Sequence, residues 1–131
     1  MIVGIGVDVV DLARFERALD RTPALVTRLF TEREQNQAGR TLSLRSLAGR
    51  FAAKEALIKA LGESTGIRWH DMQVISDEHS NPGFELSGPA AEVASRRGIG
   101  SVHLSMSHDA GIAIAYVVAE SAVADPRAAH S

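Results

Sequence analysis

Both lysines of this 131-residue chain stand on one short segment, RFAAKEALIKALG, as Lys54 and Lys59; the other basic side chains are all arginine. A composition so weighted toward arginine would supply arginine at an ordinary surface position. Two lysines together hint that a compact ammonium is wanted, one that meets a phosphate as a point charge. Glu55 lies between them. On a helical wheel at ~100° per residue, Leu44, Leu47, Ala48, Phe51 and Ile58 share one face, and Glu55 falls in its middle. A carboxylate there is expensive to bury unless a cation compensates it, and Lys59, one turn on, is within reach. Two readings stand: an ion pair at the edge of the core, or a metal ligand or catalytic carboxylate beside a phosphate-binding lysine.

A second carboxylate interrupts an apolar run. In GIGVDVV, strand alternation places Asp8 on the same face as Gly4 and Gly6, and the two missing side chains leave room for something to approach. Asp8 reads either as a cap for a nearby turn or helix, or as a ligand for a hard cation such as Mg²⁺, which takes one or two carboxylates plus substrate phosphates. The glycines are not a dinucleotide fingerprint, because the third glycine of GxGxxG would fall at Val9. Near the other end, SMSHDAG brings His108 and Asp109 to a turn just after Ser107, where side chains converge on a ligand or simply face solvent. Consecutive strand residues point apart, so this is not a nucleophile triad. His70, His79 and His130 have no metal-ligand spacing.

These groups need elements to position them. IVGIGVDVV reads as a strand apolar on both faces, hence central or covered on both sides. Asp11 is the N-cap of a helix from about Leu12 to Asp20. On that helix Leu12, Phe15 and Leu19 face one way and Arg14, Arg17 and Arg21 the other; Arg28 extends the basic patch. Such a face is either plain solvated surface or a docking site for an acidic partner. PALVTRLF and TEREQNQA begin further short helices at Pro23 and Thr31. A longer helix covers Leu44 to Leu61, capped by Ser43 and stopped by Gly62. Gly66 and Trp69 lie in a connection. DMQVISDEH and GFELSG are strands joined around SNPG, Pro89 to Arg97 is a helix closed by Gly98, and SVHLSMSHDAGIAIAYVVAE is a hairpin turning at HDAG. In its first strand Val102, Leu104 and Met106 share one face, and His103, Ser105 and Ser107 the other. SAVADPRAAHS reads as a tail. Strict βαβ alternation is absent, so the class is α+β.

The chain is long enough for one domain with a modest core. Its 45% hydrophobic and 23% charged residues give an ordinary globular balance. A net charge of −2 does not suggest a nucleic-acid partner. Without cysteine there is no disulfide and no thiol nucleophile. No apolar run is long enough to span a membrane, and the N-terminus lacks the charged start and apolar core of a secretory signal, so a cytoplasmic location is expected.

Taken in order, GIGVDVVDLARF, LFTEREQ, RFAAKEALIKALG, SNPGFELSG and VHLSMSHDAGIAIAYVV closely resemble the bacterial holo-[acyl-carrier-protein] synthases, the small single-domain type of 4′-phosphopantetheinyl transferase. The likeness covers roughly residues 2 to 119. It implies that family's fold, a small, mostly antiparallel sheet packed with a long central helix and shorter helices, within a domain of residues 1–119 followed by a tail at 120–131. It also implies a reaction: Mg²⁺-dependent transfer of 4′-phosphopantetheine from coenzyme A to a serine of apo acyl carrier protein, yielding adenosine 3′,5′-bisphosphate, for fatty acid or polyketide biosynthesis. Carried over residue by residue, Asp8 and Glu55 hold the metal. Glu55, Lys59 and His108 are the catalytic candidates. Arg50, Lys54, Lys59, Pro82, Ser107 and His108 line the coenzyme A site. Arg14, Arg17 and Arg21 receive the acidic carrier protein. The resemblance further implies a homotrimer with active sites between subunits.

The sequence departs from the family at Ser80-Asn81-Pro82, where Gly-Lys-Pro is common, so a phosphate contact from that lysine is missing or comes from Asn81. Two rival functions are a different Mg²⁺-dependent pyrophosphate-cleaving enzyme built on the same carboxylates, and a non-catalytic module that holds an acidic protein on its arginine face.

Overall fold

The structure is a computed structural model and describes residues 1–37 and 39–122. Twelve elements follow in order: β1 (Ile2–Asp11), α1 (Leu12–Arg21), α2 (Leu25–Leu29), α3 (Glu32–Gln35), β2 (Asn36–Gln37), β3 (Arg40–Thr41), α4 (Leu44–Leu61), β4 (Met72–Ser76), β5 (Pro82–Leu86), α5 (Gly88–Arg96), β6 (Ile99–Asp109) and β7 (Ile112–Ser121). A 3₁₀ turn at Trp69–Asp71 precedes β4. The architecture is the expected α+β one, with an antiparallel three-stranded sheet in the order β1-β7-β6 and two short antiparallel pairs, β2-β3 and β4-β5. The tail lies outside the described residues from position 123, as does His130. Glu120 and Ser121 belong to β7, not to the tail.

Local chemistry explains the boundaries. Asp11 accepts the Arg14 N–H at 2.9 Å and starts α1. Ser43 accepts the Ser46 N–H and starts α4, which ends at Gly62 with φ 82°. Thr31 and Glu34 form a reciprocal capping box on α3. That helix stops at Gln35, short of the expected TEREQNQA span, because Asn36 and Gln37 pair with Thr41 and Arg40. The β6–β7 turn places Ala110 and Gly111 at φ 50° and 79°, as a tight two-residue hairpin requires.

Helix α4 is the core. Ala48, Ala52, Ala53, Ala56, Leu57 and Leu61 are fully buried in one core with Ala115, Val117 and Ala119 of β7. Contact with β1 is closer still. A Cβ built on Gly4 would lie 1.9 Å from the Ala60 carbonyl oxygen, and one on Gly6 1.8 Å from that of Ala56. The space left by the two glycines is therefore filled by the helix backbone and not by a ligand. Strand β1 is also not central. It lies at the sheet edge, pairing with β7 in the described residues, and its outward Ile5, Val7 and Val9 are exposed.

Candidate active site

Seating α4 on the two glycines fixes where its charged side chains emerge. Asp8 follows Gly6 by two residues and points to the same side of β1, beside the flank of α4 that carries Glu55 and Lys59. Lys59 Nζ donates to the Val7 carbonyl at 2.9 Å and to Asp8 Oδ1 at 3.1 Å. Burial, and then the neighbouring Asp8 carboxylate, raise the proton affinity of Glu55 above the ordinary carboxylate range, with Lys59 acting in the opposite direction. Two residues 47 positions apart in the chain therefore share one electrostatic environment.

A hollow of about 500 Å³ opens from these carboxylates. Asp8, Asp11 and Glu55 line it together with Arg14, Arg17, Arg21 and Phe51. Phe15, Phe51 and Trp69 form a row, Phe15 stacked on Phe51 and Trp69 tilted against it, with ring centroids 5.5 and 5.6 Å apart. Arg28 and Arg68 border the far end of that row. Cations around an aromatic ledge, leading to paired carboxylates, suit an acidic protein that delivers a nucleophile to an anionic centre.

A second hollow, of about 300 Å³, is lined by Arg45, Arg50, Pro82, Ser107 and His108 among others. Four of the residues expected at the coenzyme therefore meet around one cavity. It shares no lining residue with the first hollow. His108, at the β6 end, is thus not in the carboxylate cluster of its own chain. Arg50 is 7% exposed, and its Nε has no partner among the described residues.

Lys54 does not reach either hollow, which corrects its expected place at the coenzyme. Its ammonium is fully buried, donating to Leu29 O at 2.7 Å, Glu34 Oε1 at 2.7 Å and Trp69 O at 3.0 Å. All three donors are used, so none is left for phosphate. Burial pulls its proton affinity down, and Glu34 opposes that shift. The other oxygen of Glu34 accepts the Val74 N–H at 3.1 Å. Lys54 thus ties the core helix to α2, α3 and the Trp69 turn. Glu34 was not anticipated: the Thr-x-x-Glu spacing signals a capping box, but not a partner twenty residues on. Arg45 carried no signal, since its role depends on the β4–β5 turn and the β6 end folding over α4.

The donor set of the carboxylate cluster fits a hard divalent cation. Asp8 and Glu55 offer only oxygens, and Lys59 alone does not match their combined charge. No group of three potential protein ligands occurs among the described residues. Oxygens from substrate or water would complete the coordination, as suits Mg²⁺ better than a structural metal.

Residues 4–117 match the family model described as the 4′-phosphopantetheinyl transferase superfamily, and the chain belongs to that family. Within it, the chain is similar to proteins named holo-[acyl-carrier-protein] synthase. The one from Leifsonia xyli subsp. xyli is 63% identical over 92% of this chain and 98% of the relative. The one from Clavibacter michiganensis subsp. michiganensis is 61% identical over 92% and 97%. Among solved structures, the holo-[acyl-carrier-protein] synthase of Neisseria meningitidis superposes with a TM-score of 0.77 at 37% identity, covering 92% of this chain and 99% of that one. The synthase of Bacillus anthracis str. Ames, solved in complex with CoA (3′,5′-ADP), superposes with a TM-score of 0.74 at 39% identity, covering 93% and 99%.

Proposed function

We propose that this chain transfers 4′-phosphopantetheine from coenzyme A to a serine hydroxyl of apo acyl carrier protein. The observation that carries this reading is the meeting of Asp8, Glu55 and Lys59 at the mouth of an arginine-lined hollow, in a chain of this family. The serine oxygen forms a bond to the pantetheine-side phosphorus while the pyrophosphate P–O bond breaks, releasing adenosine 3′,5′-bisphosphate and a proton. Asp8 and Glu55 would hold Mg²⁺, which when bound supplies positive charge against the pyrophosphate oxygens. Lys59 adds a fixed cation for the charge that develops on the leaving phosphate. Arg50, Arg45 and His108 present donors to the coenzyme's phosphates in the second hollow. Glu55 lines the hollow through which the carrier serine would arrive, which supports a role for it in taking the hydroxyl proton.

The outer face of the β1-β7-β6 sheet supports an assembly of copies. Ile5, Val7, Val9 and Tyr116 are 61%, 38%, 52% and 53% exposed, and Val7 and Tyr116 are direct cross-strand partners. Contiguous apolar surface of this kind marks a contact face. Three copies, as the family resemblance implies, would cover it and would set the carboxylates of one copy beside the Arg50–His108 hollow of the next. Val7→Asp should then lower the oligomeric mass measured by light scattering and abolish transfer. A trimer that persists in this variant with full activity argues against this face.

The deciding experiment incubates the protein with coenzyme A, Mg²⁺ and apo carrier protein and reads the carrier's mass. A gain of about 340 Da, the mass of the transferred group, supports the proposal. Hydrolysis of coenzyme A without carrier protein, and with no mass gain when it is present, would instead identify a pyrophosphate-cleaving enzyme. An unmodified carrier that still binds would point to the docking module.

A further inference from the structure

The segment after α3 holds a polar residue whose contacts serve Arg50. Gln37 is half-buried on β2, where its side-chain amide spans two elements. Nε2 donates to the Val74 carbonyl of β4 at 3.0 Å, and Oε1 accepts from Arg50 Nη2 at 3.1 Å. Arg50 has one other partner among the described residues: Nη1 donates to the Ser46 carbonyl of its own helix at a long 3.4 Å. The good hydrogen bond that sets the guanidinium's orientation therefore comes from Gln37, which is itself anchored to the sheet.

The chemistry of the partner matters as much as its position. A carboxylate at this point would neutralise the guanidinium; a neutral amide orients it and leaves the charge intact. Glu34 is the acid nearby, but it is already matched by Lys54 at 2.7 Å, so one carboxylate faces two buried cations. A surplus positive charge is therefore held, fixed in direction, in the wall of the hollow shared with Arg45, Ser107 and His108. A buried and incompletely hydrogen-bonded guanidinium gains most from an anionic ligand.

We propose that Gln37 is a positioning residue for coenzyme A, holding Arg50 in the orientation that receives a coenzyme phosphate while leaving its charge unneutralised. The inference rests on the reading that the Arg50 hollow takes the coenzyme. Gln37→Leu should raise KM for coenzyme A about tenfold, the scale of one lost hydrogen bond to a charged group, with kcat and the KM for carrier protein within about twofold of wild type. Gln37→Glu keeps the volume and an acceptor oxygen but neutralises Arg50, so it too should raise KM for coenzyme A; this variant carries the test should Gln37→Leu melt early. Gln37→Leu combined with Arg50→Gln should be no worse than Arg50→Gln alone, because Gln37 acts only through Arg50. An unchanged KM in both Gln37 variants overturns the inference, as does full additivity in the double variant. If Arg50→Gln itself leaves KM for coenzyme A unchanged, the assignment of the hollow is wrong, and the role of Gln37 falls with it.

Discussion

Replacing Gly6 with alanine tests whether the seating of α4 on β1 governs the chemistry. The added Cβ would lie 1.8 Å from the Ala56 carbonyl oxygen, where contacts under 3.0 Å essentially never occur, so the helix must retreat by ~1.2 Å. The obstacle is backbone and no rotamer change relieves it. Retreat carries Glu55 and Lys59 away from Asp8 and stretches the 3.1 Å Lys59–Asp8 contact beyond hydrogen-bonding range. A misplacement of this size costs about 10²-fold in turnover, and overpacking a core of this kind costs about 1–3 kcal/mol. The assay is carrier-protein mass gain under single-turnover conditions, beside thermal unfolding followed by circular dichroism. The control for the unfolding measurement alone is Gly49→Ala, also on α4 but lining the second hollow, where the new methyl would meet Met106 Sδ at an ordinary 3.7 Å. That change should raise stability by about 0.5–1 kcal/mol, since glycine is unfavourable inside a helix. A Gly6→Ala protein with wild-type turnover and melting temperature would refute the argument that backbone contact at this glycine sets the catalytic geometry.

Three further outcomes follow from the same geometry. Glu55→Gln should abolish transfer yet leave a folded protein. Because burial and Asp8 raise the proton affinity of Glu55, its ionised form opposes folding; this cost is absent below the ordinary carboxylate range and complete above the raised value, so in chelator the variant should melt at or above wild type near pH 8 and show a weaker fall in stability with rising pH, and a lower melting temperature there would reverse the sign. Lys54→Met strands the buried Glu34 carboxylate and should cost about 3–5 kcal/mol in denaturant unfolding, with part recovered by adding Glu34→Leu; weaker coenzyme A binding by protein that remains folded would restore Lys54 to the coenzyme site. Arg14→Glu with Arg21→Glu should raise KM for carrier protein, most strongly at low salt, and change KM for coenzyme A little, whereas carrier kinetics that do not change would remove the docking role.

Much of the fold was legible because its signals are local. Asp11, Ser43 and Gly62 mark helix ends through side-chain and backbone chemistry that depends on no distant residue, and alternation along SVHLSMS correctly divides inward Val102, Leu104 and Met106 from exposed His103, Ser105 and Ser107. What local signals do not carry is partnership. The apolar character of β1 on both faces suggested a strand that is central or covered on both sides; it lies at an edge of its sheet, with its outer face uncovered in the single chain. Its sequence is the same whether the cover is another strand, a helix or another copy.

The long helix shows where pattern reading misleads about chemistry. A wheel finds one apolar stripe and takes it for the core-facing side, which holds for a helix at the surface. Helix α4 is instead enclosed on most sides, and alanines make up much of that contact, so its burial leaves only a shallow periodicity. Glu55, on the apparent stripe, is half-exposed at the edge, while its neighbour Lys54, rotated by ~100°, lies in the interior. The paired lysines therefore divide their labour: Lys54 is held by Glu34 and two carbonyls, and Lys59 alone stays exposed beside Asp8. Arg50 emerges toward the other hollow. The central helix thus sends charge in three directions, and a change that rotated it by a single residue would exchange the buried Lys54 ammonium for the Glu55 carboxylate. The glycines of β1 and the buried pair at Lys54 resist that rotation from opposite sides, which makes the packing of an apparently inert helix a condition of the reaction.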